Sequence, residues 1–525
     1  MAKFTTDKII IILTVVSAAL LQLIDTSIVN VSLTQMMGNL GASFEDIGWV
    51  ITSYAVSNII MIALSGWMSA TFGRKTYFAG SIILFTVASI FCGTSTSVWE
   101  LVAFRFIQGI GGGGLISTAQ AILIETFPKE ELGLANAIYG IGVIVGPAIG
   151  PTLGGYITDN LAWQWIFFIN IPVGIIATIF TIIYIKEPLH KMKVAKMDWY
   201  ALALLILSIG SLQIVLEKGQ SEDWFEAKYI TVLAIIASIG IVLFIRRQLV
   251  AEKPIVNLRL FSNRSFTTGT LFNFILGFGL YGTTLVVPIF CQNLLGFTAM
   301  QTGLILLPGS LATAVMMPVV GVLLKRKLMH PAIYAGIGLV LFFLFSYQMG
   351  QMTAQVGPQD FFWPLIMRGF AMGLIFIPLT TISLSNLEGS EIPQGTSLSN
   401  MVRQLGGSIG IALITTYITV RTTIHDSYLS ENVNTGNPVA VDRIKTITSY
   451  FMSLGYDITA ATKKAYTLIS GQVYQQASLL TYKEMFEYIG LFFLALVPLL
   501  IMFRNKKKKI EPLPPEEEAI EWTME

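Results

Sequence analysis

Charged residues are scarce in this sequence of 525 residues. Asp, Glu, Lys and Arg make up 12% of it, about half of their usual share in soluble domains. Hydrophobic residues reach 54%, which is more apolar surface than a soluble protein of this length can bury. A soluble globular protein is therefore excluded, and the composition predicts a polytopic membrane protein.

Residues that bind metals or form disulfides are also few. The two cysteines, Cys92 and Cys291, have apolar neighbours and no metal-ligand spacing, so we expect buried, unbridged thiols. The three histidines, His190, His330 and His425, fall in predicted loops and make no metal cluster. We therefore expect no metal, no cofactor and no enzymatic activity.

Long apolar runs are what the sequence has instead. Runs of about 18 or more mostly apolar residues predict transmembrane helices, and these runs lack the period-2 alternation of a membrane barrel. The predicted fold class is all-α, because lipid leaves no room for unpaired backbone groups. The fourteen predicted spans lie near 9–33, 47–69, 77–97, 100–125, 134–157, 163–185, 198–216, 229–249, 266–291, 300–324, 331–350, 362–385, 396–420 and 485–503.

Lys and Arg indicate the orientation of these spans. If the N-terminus is inside, the inner loops hold Arg74 and Lys75, a cluster at 186–196 and a run at 506–509, whereas most short outer loops hold neither residue type. Both termini are therefore predicted to be cytoplasmic. The long polar segment 422–484 is then extracytoplasmic.

That extracytoplasmic segment contains a helical pattern. Ile444, Ile447, Phe451 and Leu454 recur at the spacing of an amphipathic helix. The segment is either a packed surface element or a docking platform for an extracytoplasmic partner. We favour the packed element, because amphipathic loop helices are common.

Two signatures recur between the halves of the chain. "GWMSATFGRK" at 66–75 and "GVLLKRKLMH" at 321–330 each end a span, and Arg105 and Arg368 each open one. The members of each pair are eight spans apart, which predicts two six-helix bundles with an inserted helix pair, a parallel-repeat plan known in transporters. The predicted division is 1–189 for the first bundle, 190–258 for the inserted pair, 259–503 for the second bundle with the loop 422–484, and 504–525 for a cytoplasmic tail.

Several of these stretches resemble the major facilitator superfamily, in its fourteen-helix drug:proton antiporter-2 branch of EmrB-type multidrug exporters. "LIDTSIVNVSL" around Asp25 and "WQWIFFINIPVG" resemble stretches of its first and sixth helices. The other matching positions are Gly66, Gly73, Arg74 and Lys75 in the loop 2–3 motif, Arg105, Gln108 and Gly109 in the fourth-helix motif, and Gly142, Gly146, Pro147, Gly150, Gly154 and Gly155 in the antiporter motif.

The resemblance implies a major facilitator fold that works by alternating access around a midplane cavity. The implied function is proton-coupled efflux of amphipathic compounds, cationic ones included, across a bacterial inner membrane, with antibiotic resistance as the outcome. The partners are then the small-molecule substrate, protons, the lipid bilayer and, in the docking alternative, an extracytoplasmic adaptor protein with an outer-membrane channel; nucleic acid is not expected. An alternative is export of a single endogenous metabolite, lipid precursor or siderophore. A membrane-bound sensor or scaffold has less support, because the chain has no soluble signalling domain.

An acid inside the first span is the feature that most needs an explanation. Asp25 lies about 16 residues, roughly 24 Å, from the inner end of its span, and Arg105 lies about seven residues, roughly 10 Å, from the outer end of its own. In a hydrocarbon core about 30 Å thick the two are at similar depths, on helices that neighbour each other in the implied bundle. Intramembrane acids are costly and usually lie on ion or substrate paths. We therefore predict Asp25, with Arg105, as the proton-coupling pair; the alternative is a static ion pair between two helices.

The remaining predictions concern the cavity and the motifs. In the antiporter motif, Gly146 and Pro147 predict a close, bent helix that seals one bundle against the other. Many family members have an acid at the position of Ala70, so Arg74 or Lys75 needs another partner, such as a helix C-terminus or a lipid phosphate. Polar or aromatic residues of membrane helices are candidates for the substrate cavity, although each is as often an interhelical hydrogen bond. These candidates are Gln22, Tyr54, Asn58, Gln108, Asn273, Tyr281 and Arg368, whereas Arg403 and Glu125 are expected in structural ion pairs.

Overall fold

The computed structural model describes residues 6–187, 197–389 and 391–503. This part of the chain consists of helices and their connections and contains no β-strand. The predicted tail 504–525, His190 and most of the 186–196 cluster lie outside the described residues.

The first six predicted spans form one packed group. Helix α1 contacts α5, α7 and α4, while α4 also packs against α2 and α3. The sixth span is broken at Ile169, so that α7 begins with a new first turn at Asn170. The helices are α1 (Thr6–Leu40), α2 (Phe44–Phe72), α3 (Arg74–Thr94), α4 (Val98–Thr126), α5 (Leu132–Asn160), α6 (Trp165–Phe168) and α7 (Asn170–Tyr184).

The inserted pair and the second group follow. Helices α8 (Trp199–Lys218) and α9 (Lys228–Val250) pack on each other, and α8 also packs on α2. In the second group, α10 contacts α14 and α13, and α12 contacts α13 and α16. Its helices are α10 (Arg264–Ile289), α11 (Ala299–Lys325), α12 (Pro331–Gly350), α13 (Phe362–Leu384), α14 (Glu391–Ser430), α15 (Pro438–Ser453) and α16 (Ile458–Ala495).

The structure supports the membrane assignment of the apolar runs. Twelve helical segments of the described residues are long and apolar enough to cross a bilayer. The other two predicted spans lie in α14, of 40 residues, and at the end of α16, of 38 residues. In α14, the polar side chains of Arg403 and Gln404 face neighbouring helices. Both α14 and α16 are long enough to span.

The segment 422–484 is more helical than the sequence suggested. Helix α14 continues to Ser430, α15 follows, and α16 already begins at Ile458. Ile447 packs with residues of α16 in a small apolar core that Ile444 and Phe451 also join, which confirms the amphipathic pattern for these three. Leu454 ends outside this core with 57% of its surface exposed. His425 lies within α14, so its assignment to a loop was wrong.

The two groups meet along two helix pairs. Helix α5 packs against α11, and α2 packs against α14. The first contact is close because glycines face each other: a Cβ on Gly321 would lie 2.9 Å from the carbonyl oxygen of Gly133. The second includes the Ser397 hydroxyl, which donates to the Ala63 carbonyl oxygen at 3.0 Å. We call α1–α7 the first half and α10–α16 the second half below.

Candidate functional site

Asp25 lies in a fully buried hydrogen-bonded cluster at the centre of the first half. Arg105 Nη1 donates to Asp25 Oδ2 at 2.5 Å. Gln108 Nε2 and Asn170 Nδ2 donate to the other carboxylate oxygen, Oδ1, at 3.0 and 2.9 Å. The carboxylate therefore has a cation and two amide donors from α4 and α7 around it, although none of its surface is exposed.

Arg105 is held from several sides at once. Its Nη1 also donates to Gln108 Oε1 at 2.6 Å, and its Nε donates to the Val50 carbonyl oxygen at 3.4 Å. The guanidinium carbon lies 4.0 Å from the centroid of the Tyr54 ring, which is a cation–π geometry. These contacts fix the guanidinium so that it points at Asp25.

Two residues of the cluster were not predicted from the sequence. Ser89 of α3 accepts from Gln108 Nε2 at 2.7 Å and from Asn170 Nδ2 at 3.3 Å. Asn170 is the first residue of α7, directly after the break at Ile169. A buried Asn between apolar residues in "IFFINIPVG" was the available signal, but nothing in the sequence connected it to α1.

The hydrogen-bond donors around Asp25 match the acceptor atoms of a carboxylate. An ionised carboxylate accepts all three hydrogen bonds from Arg105, Gln108 and Asn170. A protonated one must use one oxygen as a donor, and it no longer compensates the charge of the buried Arg105.

The predicted cavity residues of the first half converge on one glycine. A Cβ on Gly112 would lie 2.6 Å from the Tyr54 hydroxyl, 3.0 Å from Asn58 Nδ2 and 3.1 Å from Gln22 Cγ. Both amide atoms of Asn58 are buried and have no hydrogen-bond partner within the described part of the chain. Gln22, Tyr54 and Asn58 thus form one polar cluster, and Gln108 belongs to the neighbouring Asp25 cluster.

The predicted cavity residues of the second half are separate from this cluster. Asn273 Nδ2 donates to Ser399 Oγ at 2.8 Å, and the Tyr281 hydroxyl donates to Gln404 Oε1 at 3.2 Å. Both bonds join α10 to α14, which is the interhelical role that the sequence analysis left open. The remaining candidate, Arg368, is the seventh residue of α13, and its Nη2 donates to the Thr284 hydroxyl of α10 at 2.8 Å.

A polar network that the sequence did not predict joins the two halves. The Asn400 side chain of α14 donates to Gln120 Oε1 at 2.8 Å and accepts from the Tyr139 hydroxyl at 3.1 Å. Arg403 Nη2 donates to the same hydroxyl at 3.1 Å, and its guanidinium lies over the rings of Tyr139 and Phe376. The expected ion pair of Arg403 was wrong: aromatic rings, which are compact apolar neighbours with a negative face, take the place of an acid among the described residues.

The loop 2–3 motif finds the partner that Ala70 does not supply. Arg74 forms an ion pair with Glu125 near the end of α4, which confirms the ion-pair role expected of Glu125. Its Nη2 also donates to the carbonyl oxygen of Gly389 in the second half at 3.4 Å. Gly73 adopts φ 92°, a left-handed conformation that favours glycine. Gly66 lies against the backbone of α14, and Lys75 is partly exposed.

The antiporter motif packs in a direction that we did not expect. Gly146, Gly150 and Gly154 face α1, where an added Cβ would lie 2.8 Å from side-chain atoms of Leu23, Ser27 and Ile28 respectively. Gly142 lies on the same side with more room, Gly155 is buried, and Pro147 is inside the helix. Gly146 therefore packs within the first half, and the predicted close contact of this helix with the other bundle is made elsewhere along α5. The spacing of four residues keeps these glycines on one helix face, and a different face of α5 meets α11.

Ion pairs also connect the halves at the predicted cytoplasmic end. Lys129, between α4 and α5, pairs with Glu388, between α13 and α14. Lys325 Nζ at the end of α11 donates to Glu131 Oε1 at 2.6 Å. Both pairs, together with the contact of Arg74 to Gly389, hold this end of the two halves together.

Comparisons with known proteins agree with this architecture. A family model described as Major Facilitator Superfamily matches residues 15–411. The chain is 35% identical to the multidrug export protein EmrB of Escherichia coli K12, over 92% of each chain. It is 32% identical to the fatty acid resistance protein FarB of Neisseria gonorrhoeae, over 92% of this chain and 93% of that one.

Solved structures show the same fold at low sequence identity. The human organic anion transporter MFSD10 superposes with a TM-score of 0.58 at 14% identity, over 93% of this chain and 100% of that one. The proton:xylose symporter XylE superposes with a TM-score of 0.54 at 15% identity, over 93% and 96%. The chain therefore belongs to the major facilitator superfamily, among its EmrB-type multi-pass membrane transporters, and is not an enzyme.

Proposed function

We propose that this protein is a proton-coupled exporter of amphipathic compounds in a bacterial inner membrane. The observation that carries the proposal is the cluster of Asp25, Arg105, Gln108 and Asn170. A fully buried carboxylate is costly inside a membrane, and a static link between α1 and α4 does not require an ionisable group. The names of the relatives, which refer to multidrug export and fatty acid resistance, support export as the direction.

The contacts between the halves support alternating access. The ion pairs of Lys129 with Glu388 and of Lys325 with Glu131 close the predicted cytoplasmic end. Opening this end requires both pairs and the contact between Arg74 and Gly389 to separate. Protonation of Asp25 would shift α1 relative to α4 and α7, and α1 is joined to α5, which contacts the second half. The proton thus acts on a helix that is one neighbour away from the interface.

Orientation and domain division are part of the same proposal. We place both termini in the cytoplasm and keep the division at 1–189, 190–258 and 259–503. A reporter fused at Lys191 or Arg259 should read cytoplasmic, and one inserted near Asn434 should read extracytoplasmic. The opposite result at Asn434 would remove the inserted pair or the last span from the scheme.

An adaptor protein with an outer-membrane channel remains a proposed partner. The outer parts of α15 and α16 present Tyr450, Tyr466 and Tyr474, each more than half exposed. Aromatic side chains of this kind are enriched at protein interfaces. Co-purification of a crosslinked complex through α15 would support such a partner.

The decisive experiment is transport by Asp25→Asn in proteoliposomes. We expect this variant to insert and bind substrate but to lose export driven by a pH gradient, and Arg105→Ala should lose it too. A substrate for this assay is identified first. The accumulation of a panel of amphipathic compounds of either charge is measured in an efflux-deficient bacterial host that expresses the protein. Normal substrate-induced proton movement in Asp25→Asn would exclude Asp25 as the coupling acid. Export of no compound in the panel would favour the alternative of a single endogenous metabolite.

A further inference from the structure

The second half has an arginine at the place of Arg105 but no acid at the place of Asp25. Arg105 lies seven residues after the first residue of α4 (105 − 98), and Arg368 lies six after the first residue of α13 (368 − 362). These are the fourth helices of their halves, and each arginine reaches the first helix. In the first half it meets Asp25, and in the second half it meets the hydroxyl of Thr284.

Arg368 has no counter-charge among the described residues. Within this part of the chain, its buried Nε has no hydrogen-bond partner, and no carboxylate lies within ion-pair distance of its guanidinium. Beside it is a small cavity of about 20 Å³, which has room for one water-sized group. An uncompensated guanidinium inside a membrane protein is costly, so an occupant that carries negative charge would be stabilised here.

The charge balance inside the predicted spans also favours an anionic occupant. More than one helical turn inside the predicted spans, the sequence has one acid, Asp25, and three arginines, Arg105, Arg368 and Arg403. The formal balance is 3 − 1 = +2. Arg105 is neutralised by Asp25, and Arg403 lies over two aromatic rings, which leaves Arg368 as the least compensated of the three.

We propose that Arg368 forms an anion subsite that receives the carboxylate, or a similar single anionic group, of an exported amphipathic compound. This inference rests on the proposed export function and names its substrate class: organic anions with an apolar body, among the amphipathic compounds that the resemblance implied. The apolar body would lie along Leu306 and Met372, which line the cavity. A carboxylate would take hydrogen bonds from the guanidinium, including the unused Nε.

Residues of both halves line the cavity, so that movement of the halves would give such a compound access to Arg368. Ile144 of α5, in the first half, closes one side of it, while Arg368 and Thr284 belong to the second half. Separation of α5 from α11 and α13 would therefore widen the cavity from the size of one water to that of a headgroup. Binding at Arg368 is thereby tied to the motion of the halves.

The test compares two probes that share an apolar tail, dodecanoate and dodecyltrimethylammonium. Their binding is measured on the purified full-length protein in nanodiscs, for the wild type and for Arg368→Gln and Arg368→Lys. We expect Arg368→Gln to lose about tenfold or more in affinity for dodecanoate and to keep its affinity for the cation, while Arg368→Lys keeps most of the dodecanoate affinity. An equal loss for both probes would make Arg368 a packing residue and overturn the inference.

A second pair of variants tests the anion subsite while keeping Arg368 in place. Thr284→Asp supplies the second half with its own carboxylate, as Asp25 does in the first. It should lower the affinity for dodecanoate by about tenfold or more without lowering the affinity for dodecyltrimethylammonium. Thr284→Val, which removes the hydroxyl without adding charge, is the matched control and should keep dodecanoate affinity. Unchanged dodecanoate binding in Thr284→Asp would contradict the subsite.

Transport separates this inference from the function on which it rests. If wild-type proteoliposomes show no transport driven by a pH gradient while the binding results hold, the proposed coupling fails and the anion subsite stands. If the wild type transports the cation in a proton-dependent manner and Arg368→Gln leaves dodecanoate binding unchanged, the anion subsite fails and the proposed function stands.

Discussion

The two halves of the molecule solve the same electrostatic problem in different ways. Each has an arginine about two turns into its fourth helix, directed at its first helix. In the first half Arg105 meets Asp25, which two further amide donors support. In the second half the one hydrogen bond of Arg368 within the described part of the chain goes to the hydroxyl of Thr284. One half compensates its arginine internally, at the proton site that we propose, whereas the other leaves the arginine that we propose as an anion subsite.

The halves are alike where packing rather than charge is concerned. In the first half, glycines of the fifth helix, α5, lie against α1, and Gly150 approaches Ser27. In the second half, glycines of α14 lie against α10, and a Cβ on Gly410 would be 2.9 Å from the Phe278 ring. Both halves thus keep the close contact of first and fifth helices, so the difference between them lies in the polar side chains.

The largest expected effect comes from removing the acid that distinguishes the first half. Asp25→Asn should reduce proton-driven export to the level of protein-free vesicles, because the amide cannot exchange a proton. The measurement is substrate-induced proton movement under an imposed pH gradient. Asp25→Glu, which keeps the ionisable group, serves as the control and should retain part of the activity. Equal activity in Asp25→Asn and the wild type would remove the functional difference between the halves.

The next effect tests whether the position of α1 matters as well as its charge. Gly146→Leu places a large side chain where Leu23 already lies within 2.8 Å of an added Cβ, two residues before Asp25. We expect it to abolish export and leave membrane insertion intact. Gly142→Ala is the matched control, since its nearest atoms are 3.9 Å away. Full export by Gly146→Leu would reduce this motif to ordinary helix packing.

Removing the arginine should lower the stability of the protein in the first half but not in the second. Arg105→Met leaves Asp25 as an unpaired buried charge and should destabilise the protein by about 3–5 kcal/mol, whereas Arg368→Met removes an uncompensated charge and should be neutral or stabilising. Thermal unfolding of the purified variants measures both. The double variant Asp25→Asn with Arg105→Met should recover most of the lost stability without recovering transport. Equal destabilisation by Arg105→Met and Arg368→Met would show that the two arginines are equivalent.

The smallest expected effect is on stability, and it comes from the ion pair between Lys129 and Glu388 that joins the two halves. Hydrogen bonding by Lys129, and then its charge, lower the pKa of the Glu388 carboxyl. The pair therefore contributes fully above the ordinary glutamate pKa of about 4.3, and this contribution is lost as the pH falls through the lowered pKa. Glu388→Gln should differ slightly from the wild type in thermal unfolding near neutral pH, because both side chains are well exposed and solvent screens them.

That small difference has a defined pH course. It should stay constant on acidification until the Glu388 carboxyl begins to be protonated, and then shrink. Lys129→Gln should show the same course, since it removes the other partner. A difference that grows as the pH falls would contradict the assignment of this pair as a link between the halves.

The sequence by itself determined the membrane class and the helical fold. Apolar runs of membrane length leave the backbone no alternative to helices, and the predicted spans agree with the observed helices to within a few residues at most ends. It also identified Asp25 and Arg105 as a pair, because depth along two straight helices follows from residue counts and a rise of about 1.5 Å per residue.

Only the tertiary structure decided which way each side chain faces. Residue counts give depth but not rotation, so Asn170 and Ser89 were missed around Asp25, the contact of Gly146 with α1 was not foreseen, and Arg403 was expected to meet an acid. The partner of Arg74 needed the end of α4 to lie beside the start of α3. The contrast between Arg105 and Arg368 also became visible only when α1 and α10 were placed beside their arginines, since hydrophobic patterning says which residues are buried but not which buried residues meet.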